Sequence, residues 1–199
     1  MSFVSRSVPR PASRFISRPK SPPVLRPVSH VALALAMALA MSASAVAACT
    51  QATVDVCFRP GATSCRDEIV AAIDAAKSTL LIQAYGFTDA AIIHAIGNAE
   101  KRGVGVRVIL DKENRQPRYT GATYLRNAGI PVRFDDRVAI AHNKVMVIDG
   151  ELVIGGSFNY TKSAEEKNAE NVTFTRSACV ARLYGDNFER RWNVAAPIG

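Results

Sequence analysis

An α/β fold, layered as an α/β/α sandwich around a mixed, mostly parallel central sheet, is predicted by three features of the sequence. Strand-length apolar runs alternate with segments of helical period, turn residues punctuate the junctions, and one Asp-Gly pair stands between two β-rich runs. TVDVCF (53–58) alternates and reads as a first strand. RDEIVAAIDAAKS (66–78) carries apolar residues at helical spacing, and TLLIQAYGF (79–87) is a continuous apolar run suited to a buried strand. Thr88-Asp89 form an N-cap for AAIIHAIGNAEKRG (90–103), which closes on Lys101 and Arg102 in its last turn and Gly103 beyond it. The strand VGVRVILD (104–111) follows, then a polar loop around Pro117, a helix near TGATYLRNAG ending at Gly129, and the short strand PVRF (131–134). Asp149-Gly150 between KVMVI and ELVI is the strongest hairpin signal in the chain.

The chain of 199 residues, 48% of them hydrophobic, suffices for one domain with a sizeable core. That domain is expected over 48–199. Six of the ten prolines fall within the first 27 residues, among Arg6, Arg10, Arg14, Arg18, Lys20 and Arg26, and such a segment buries too little apolar surface to fold. An uncharged Ala-rich run follows, and Ala45-Val46-Ala47 has the small-x-small pattern of a signal-peptidase site. Residues 1–47 therefore read as a signal peptide, and the mature protein as periplasmic or secreted. The run is a poorer membrane span, since its second half is Ser and Ala, and a mitochondrial transit peptide fits less well. Val46-Ala47-Ala48-Cys49 also loosely resembles a lipoprotein box, which would make Cys49 a lipidated N-terminus.

Most of the formal charge of +8 belongs to this leader. From Ala48 onward nineteen Lys and Arg face seventeen Asp and Glu, so global charge says little about substrate. Export permits disulfides, and Cys57 with Cys65 around the turn-rich FRPGATS is the preferred pair, worth roughly 2–3 kcal/mol. Cys49 with Cys179 would complete the set. No CxxC pair or His-rich cluster accompanies them, so zinc is not expected.

The stretch AHNKVMVIDGELVIGGSFN (141–159) carries the chemistry. With a two-residue turn at Asp149-Gly150, opposed residues sum to 299, so His142 faces Ser157, Lys144 faces Gly155, and Asn159 lies one step beyond. Directly opposed residues share a face, which predicts His142, Lys144, Ser157 and Asn159 on one face and Val145, Val147, Leu152 and Ile154 on the other. An imidazole, an ammonium, a hydroxyl and a carboxamide with no carboxylate among them suit a tetrahedral anion, and phosphate best. Any one of the four alone would read as an ordinary strand-end polar residue.

His142-x-Lys144, Asp149 after four residues and Gly156-Ser157-x-Asn159 after six more resemble the H-x-K-x(4)-D-x(6)-G-S-x-N motif of the phospholipase D superfamily. The resemblance extends over most of 52–195, including QAYGFT, KRGV and NAEN, and is greatest to the small bacterial phospholipase D-type endonucleases, which carry one motif per chain. It implies a phosphohistidine intermediate: His142 attacks phosphorus, Lys144 and Asn159 hold the non-bridging oxygens, Ser157 is a secondary phosphate ligand, and Glu170, within NAEN, orients the imidazole. Glu165 and Glu166, in KSAEEK, read instead as a solvated helix face. Asp149 belongs to the motif, but the hairpin reading makes it a turn former.

One motif is half a site. Phosphodiester cleavage asks for barrier reductions on the order of 20 kcal/mol, whereas one proton-transfer group supplies roughly 3–5 kcal/mol. In-line displacement also requires the group that protonates the leaving oxygen to stand across the phosphate from His142. His30 leaves with the leader and His94 lies within a helix, so a second His142 from a two-fold related copy is expected, in an obligate homodimer with a composite site. No cofactor or metal is expected.

The expected substrate is nucleic acid, DNA and also RNA, cleaved without sequence preference, with Arg115, Arg118, Arg126, Arg133 and Arg137 as candidate groove residues or else scattered solvated charges. The alternatives are phospholipid, acted on by a phospholipase D-type hydrolase or transphosphatidylase, and a noncatalytic nucleic-acid-binding or lipid-anchored module. The lipid reading expects an apolar mouth beside the site, and 112–140 shows no such character in the sequence.

Overall fold

The computed structural model describes residues 49–115 and 121–197. The leader expected over 1–47, His30, Pro117 and Arg118 lie outside the described residues. Eight strands form one sheet: β1 (Thr53–Arg59), β2 (Thr79–Ala84), β3 (Gly105–Asp111), β4 (Val132–Asp135), β5 (Lys144–Ile148), β6 (Leu152–Gly156), β7 (Glu170–Arg176) and β8 (Ala196–Pro197), in the order β1-β7-β6-β5-β2-β3-β4-β8. Helices α1 (Cys65–Asp74), α2 (Ala90–Lys101) and α3 (Gly121–Asn127) intervene early, then come the short α4 (Lys162–Glu166) and the long α5 (Ala178–Val194).

The α/β class and the mixed sheet match the expectation, but the prevalence of parallel pairing does not. Only β2–β3 and β3–β4 run parallel, and the other described pairings are antiparallel. Parallel neighbours need a crossover, which α2 and α3 provide; after β4 the chain passes back to β2, against which β5 lies antiparallel, and β6 and β7 follow as sequential antiparallel neighbours.

The sheet buries both faces. Ile69 and Ile73 of α1, Ile92 and Ile96 of α2 and Leu125 of α3 pack with Leu80, Ile82, Val106, Val108 and Met146 on one side. On the other, Phe188, Trp192 and Ala181 of α5 cover Leu81, Ile109, Val147 and Val153. Neither α5 nor β7 was expected, although Val172 and Phe174 of β7 alternate with polar neighbours. Only Ala181 and Phe188 of α5 are fully buried among many charged residues, so its apolar stripe is thin.

The turn chemistry is as read, with positive φ at Asp149 (54°) and Gly150 (67°), and Glu151 N–H donating to Ile148 O at 3.0 Å. The register is not. Ile148 opposes Leu152, leaving Glu151 outside the ladder, so opposed residues sum to 300. A slip of one residue transfers a strand's side chains to the other face. Met146, Ile148, Leu152 and Ile154 therefore share the face of α1–α3, while Val145, Val147 and Val153 share that of α5, which corrects the expected grouping.

Both expected disulfides are present, Cys57–Cys65 joining β1 to the start of α1 and Cys49–Cys179 tying the N-terminal segment to α5. A Cys49 sulfur bonded to Cys179 has no valence left for a lipid thioether, and the lipoprotein reading falls with it.

Candidate active site

The site lies at the edge of the sheet where β2 and β6 end and β5 and β7 begin. Lys144 is the first residue of β5 and pairs with Ala84, the last of β2. Its side chain is 7% exposed, and Nζ donates to the carbonyl of His142 at 3.0 Å and lies 5.2 Å from the centroid of the Tyr85 ring. Burial lowers the Lys144 pKa from its ordinary value, and the nearby Glu170 carboxylate pulls it back up. The His142 imidazole is exposed and packs against Tyr85, with ring centroids 4.7 Å apart and planes at 56°.

On the β6 side, Gly156 departs from strand geometry at φ +139°, and a Cβ there would come within 2.2 Å of Asn171 O. Only glycine fits that position. The departure breaks strand alternation, so Ser157 and Asn159 are brought to the site by a bend rather than by hairpin register. Asn159 Oδ1 accepts from Gly86 N–H at 3.2 Å, which leaves its amide hydrogens for another acceptor.

Ser157 and Glu170 differ from expectation. The Ser157 hydroxyl donates to Glu170 Oε2 in a short hydrogen bond and accepts from Asn171 N–H at 3.1 Å. Its only hydrogen is engaged, so Ser157 holds Glu170 rather than waiting as a phosphate ligand. The other oxygen, Oε1, accepts from Asn168 Nδ2 at 2.8 Å. Glu170 is thus anchored beside the site without a hydrogen bond to His142, whose ring makes none among the described residues. The polar cluster is therefore not free of carboxylates.

Asp149 is not part of this cluster. It follows the far end of β5, where its carboxylate accepts from the backbone N–H groups of Lys77 (3.0 Å), Ser78 (2.8 Å) and Thr79 (3.0 Å) and from Ser78 Oγ (2.9 Å). Burial alone would raise its pKa, but those donors outweigh it and hold the carboxyl below its ordinary value. Asp149 is a structural pin between the hairpin turn and the α1–β2 junction.

The KSAEEK helix divides. Glu166 is exposed and pairs with Lys162 at 3.6 Å, as expected of a solvated face. Glu165 is 5% exposed, accepts from Arg66 N–H at 3.0 Å and pairs with Arg59 at 3.3 Å, so it is a buried anchor for α4 against β1 and α1. His94 stacks on Tyr124 at the surface, centroids 5.1 Å apart.

Among the groove candidates, Arg133 is committed to α5: it donates to Trp192 O at 2.6 Å and stacks 4.4 Å from the Trp192 ring centroid. Arg115 pairs with Asp136 at 2.8 Å, and Arg137 reaches Val194 O at 3.3 Å. Arg126 sits at the end of α3. The loop that enters His142 exposes Val138 (38%) and Ile140 (53%), which corrects the expectation that 112–140 has no apolar character.

Sequence reading missed Tyr85, Asp111 and the role of Gly86. Asp111 is 1% exposed and its carboxylate accepts from Ala141 N–H at 2.6 Å and Glu113 N–H at 2.9 Å, fixing the approach to His142. A buried carboxylate at the end of a strand was the available signal.

Residues 69–192 match the family model described as cardiolipin synthase, PLD-like domain. The chain is 40% identical over 146 residues to a phospholipase D of Rickettsia prowazekii, covering 73% of this chain and 71% of that one. It is 33% identical over 141 residues to the mitochondrial cardiolipin hydrolase of Mus musculus, covering 71% and 64%. The crystal structure of Nuc from Salmonella typhimurium, a phospholipase D family member, superposes with a TM-score of 0.68 at 34% identity, covering 74% of this chain and 98% of that one.

Proposed function

Since this chain belongs to the phospholipase D superfamily of phosphodiesterases, we propose that it is an exported endonuclease that cleaves nucleic acid without sequence preference, through a phosphohistidine intermediate in a composite homodimer site. The observation that carries the chemistry is the trio of an exposed imidazole (His142), a buried ammonium (Lys144) and a pinned carboxamide (Asn159) at one sheet edge. Lys144 and Asn159 offer N–H donors to the non-bridging oxygens, where charge builds in the transition state. His142 attacks phosphorus, the bond to the leaving oxygen breaks, and the partner copy's imidazole gives that oxygen its proton. Water then attacks the phosphohistidine, yields its proton to the same partner imidazole, and frees His142.

The open position of His142 at the sheet edge suits a polymer backbone passing across it, and a two-fold mate places a second Lys144 on the phosphate. A phospholipid substrate is the second reading, favoured by Val138 and Ile140 exposed on the loop that leads into His142 and by the names of the Rickettsia and mouse relatives.

The mature protein, assayed with EDTA on plasmid DNA, RNA and phosphatidylcholine vesicles, separates the readings. Nucleic-acid cleavage abolished by His142→Ala is expected. Release of the lipid headgroup with intact plasmid would replace the first reading by the second, and a stable, active monomer in sedimentation would remove the composite site.

A further inference from the structure

Tyr85 follows directly on Ala84, the β2 residue that pairs with Lys144, and its ring meets both reactive side chains of the half-site. The imidazole of His142 lies 4.7 Å away, centroid to centroid, and Lys144 Nζ lies 5.2 Å from the same ring centroid. The residue is held at both its side chain and its backbone. Its hydroxyl donates to Glu113 Oε2 at 2.9 Å, and the Tyr85 carbonyl accepts from Asn114 Nδ2 at 2.8 Å.

Glu113 and Asn114 belong to a single 3₁₀ turn, Lys112–Arg115, and that turn is fastened to the same buried carboxylate as the residue preceding His142. Asp111 Oδ1 accepts from Glu113 N–H and Oδ2 from Ala141 N–H, while the Asp111 carbonyl accepts from Asn114 Nδ2 at 3.2 Å. One 1%-exposed residue therefore fixes the two arms of a bracket, one ending in the Tyr85 ring and the other in His142.

We propose that Tyr85 is a positioning residue, its ring setting the placement of the His142 imidazole relative to the Lys144 ammonium. The proposal rests on the phosphohistidine reading above. An exposed imidazole turns about two side-chain bonds, and among the described residues no hydrogen bond holds this one, so the aromatic contact is what limits its rotation. A nucleophile displaced by about 1 Å loses on the order of 100-fold in rate, so removal of the ring is read in turnover rather than in binding.

Wild type, Tyr85→Phe, Tyr85→Leu and, as the floor, His142→Ala are compared in the mature protein on bis(p-nitrophenyl) phosphate, together with thermal melting and the ring-proton NMR resonances of His142, assigned by their loss in His142→Ala. Tyr85→Leu should lower kcat by on the order of 100-fold with KM within about threefold, and should move the His142 resonances as the aromatic ring current disappears. Tyr85→Phe, which restores the ring without the hydroxyl, should return kcat to within about tenfold of wild type and keep the resonances in place. Resonances unmoved in Tyr85→Leu, an undiminished kcat in that variant, or an equal loss in Tyr85→Phe would each overturn the proposal. A wild type that hydrolyses no diester would end the phosphohistidine reading instead, and the resonances would still decide whether Tyr85 places the imidazole.

Discussion

The two ends of the β5–β6 hairpin carry polar residues of one sequence motif in opposite states. At the turn, the Asp149 carboxylate accepts four hydrogen bonds from the 77–79 segment and has little capacity left for anything else. At the other end, among the described residues, Lys144 spends one donor on a backbone carbonyl, Asn159 keeps its amide hydrogens, and the His142 ring is held by an aromatic contact alone. Saturated polar groups hold a fold together, whereas groups with unused capacity can receive a ligand. The motif therefore joins a pin to a cluster of polar groups with unused capacity along one strand of five residues.

Breaking the open end should give the largest effect. His142→Ala removes the proposed nucleophile, so kcat should fall by on the order of 10⁴-fold or more with little change in melting temperature, because the ring is exposed. Residual turnover near wild type would transfer the chemistry elsewhere. Lys144→Met keeps the stem and loses the charge. A loss of about 100- to 1,000-fold in kcat is expected, the usual size for removal of one oxyanion donor, and a pure KM effect would assign Lys144 to ground-state binding.

The pinned end should answer in stability. Asp149→Ala should cost about 2 kcal/mol, measured by urea unfolding at neutral pH, as several partly solvated charge-assisted bonds are lost, with activity per folded molecule retained. The sign of its pH dependence follows from the lowered carboxyl pKa. The stabilisation is fully present above the unfolded carboxyl value and disappears as pH falls through the lower folded value, so wild type and variant should converge in acid. A gap that widens in acid would contradict the pin.

The same contrast explains what the sequence made legible. Turn residues and apolar runs located β1 to β6 and α1 to α3, because each is a local pattern. The Asp149-Gly150 turn was legible too, yet one extra residue, Glu151, shifted the register and with it the face assignments of Leu152 and Ile154 on β6. His142 and Lys144 nonetheless contact the Tyr85 ring, and Asn159 reaches the adjacent Gly86 N–H. The cause is the glycine-only bend at Gly156, together with Gly86 N–H, rather than strand alternation. Glu165 and the α5 stripe were opaque, since their burial depends on Arg59, Arg66 and sheet residues far away in the chain. Tyr85 and Asp111 were hidden for the same reason: the contacts of Tyr85 with Glu113 and His142 and of Asp111 with Ala141 span 28 to 57 residues, and no local period announces them.

The smallest expected effect distinguishes how the open end keeps its charge. Burial lowers the Lys144 pKa and Glu170 opposes that shift, so the ammonium proposed to hold phosphate oxygens is lost as pH rises through the lowered value. Glu170→Gln removes the opposing charge while keeping an oxygen that can accept from Ser157. The alkaline limb of kcat should therefore move to lower pH, and a limb that stays or moves upward would refute the coupling. Glu170 is anchored beside the imidazole as well as the ammonium, so a carboxylate acting through the proposed acid is the competing explanation. Lys144→Arg resolves the two, because guanidinium remains charged throughout the accessible range. If Lys144 sets the limb, Glu170→Gln should leave it in place on the Lys144→Arg background. If the shift persists there, the carboxylate acts through His142, and the ammonium in this site serves as a fixed charge.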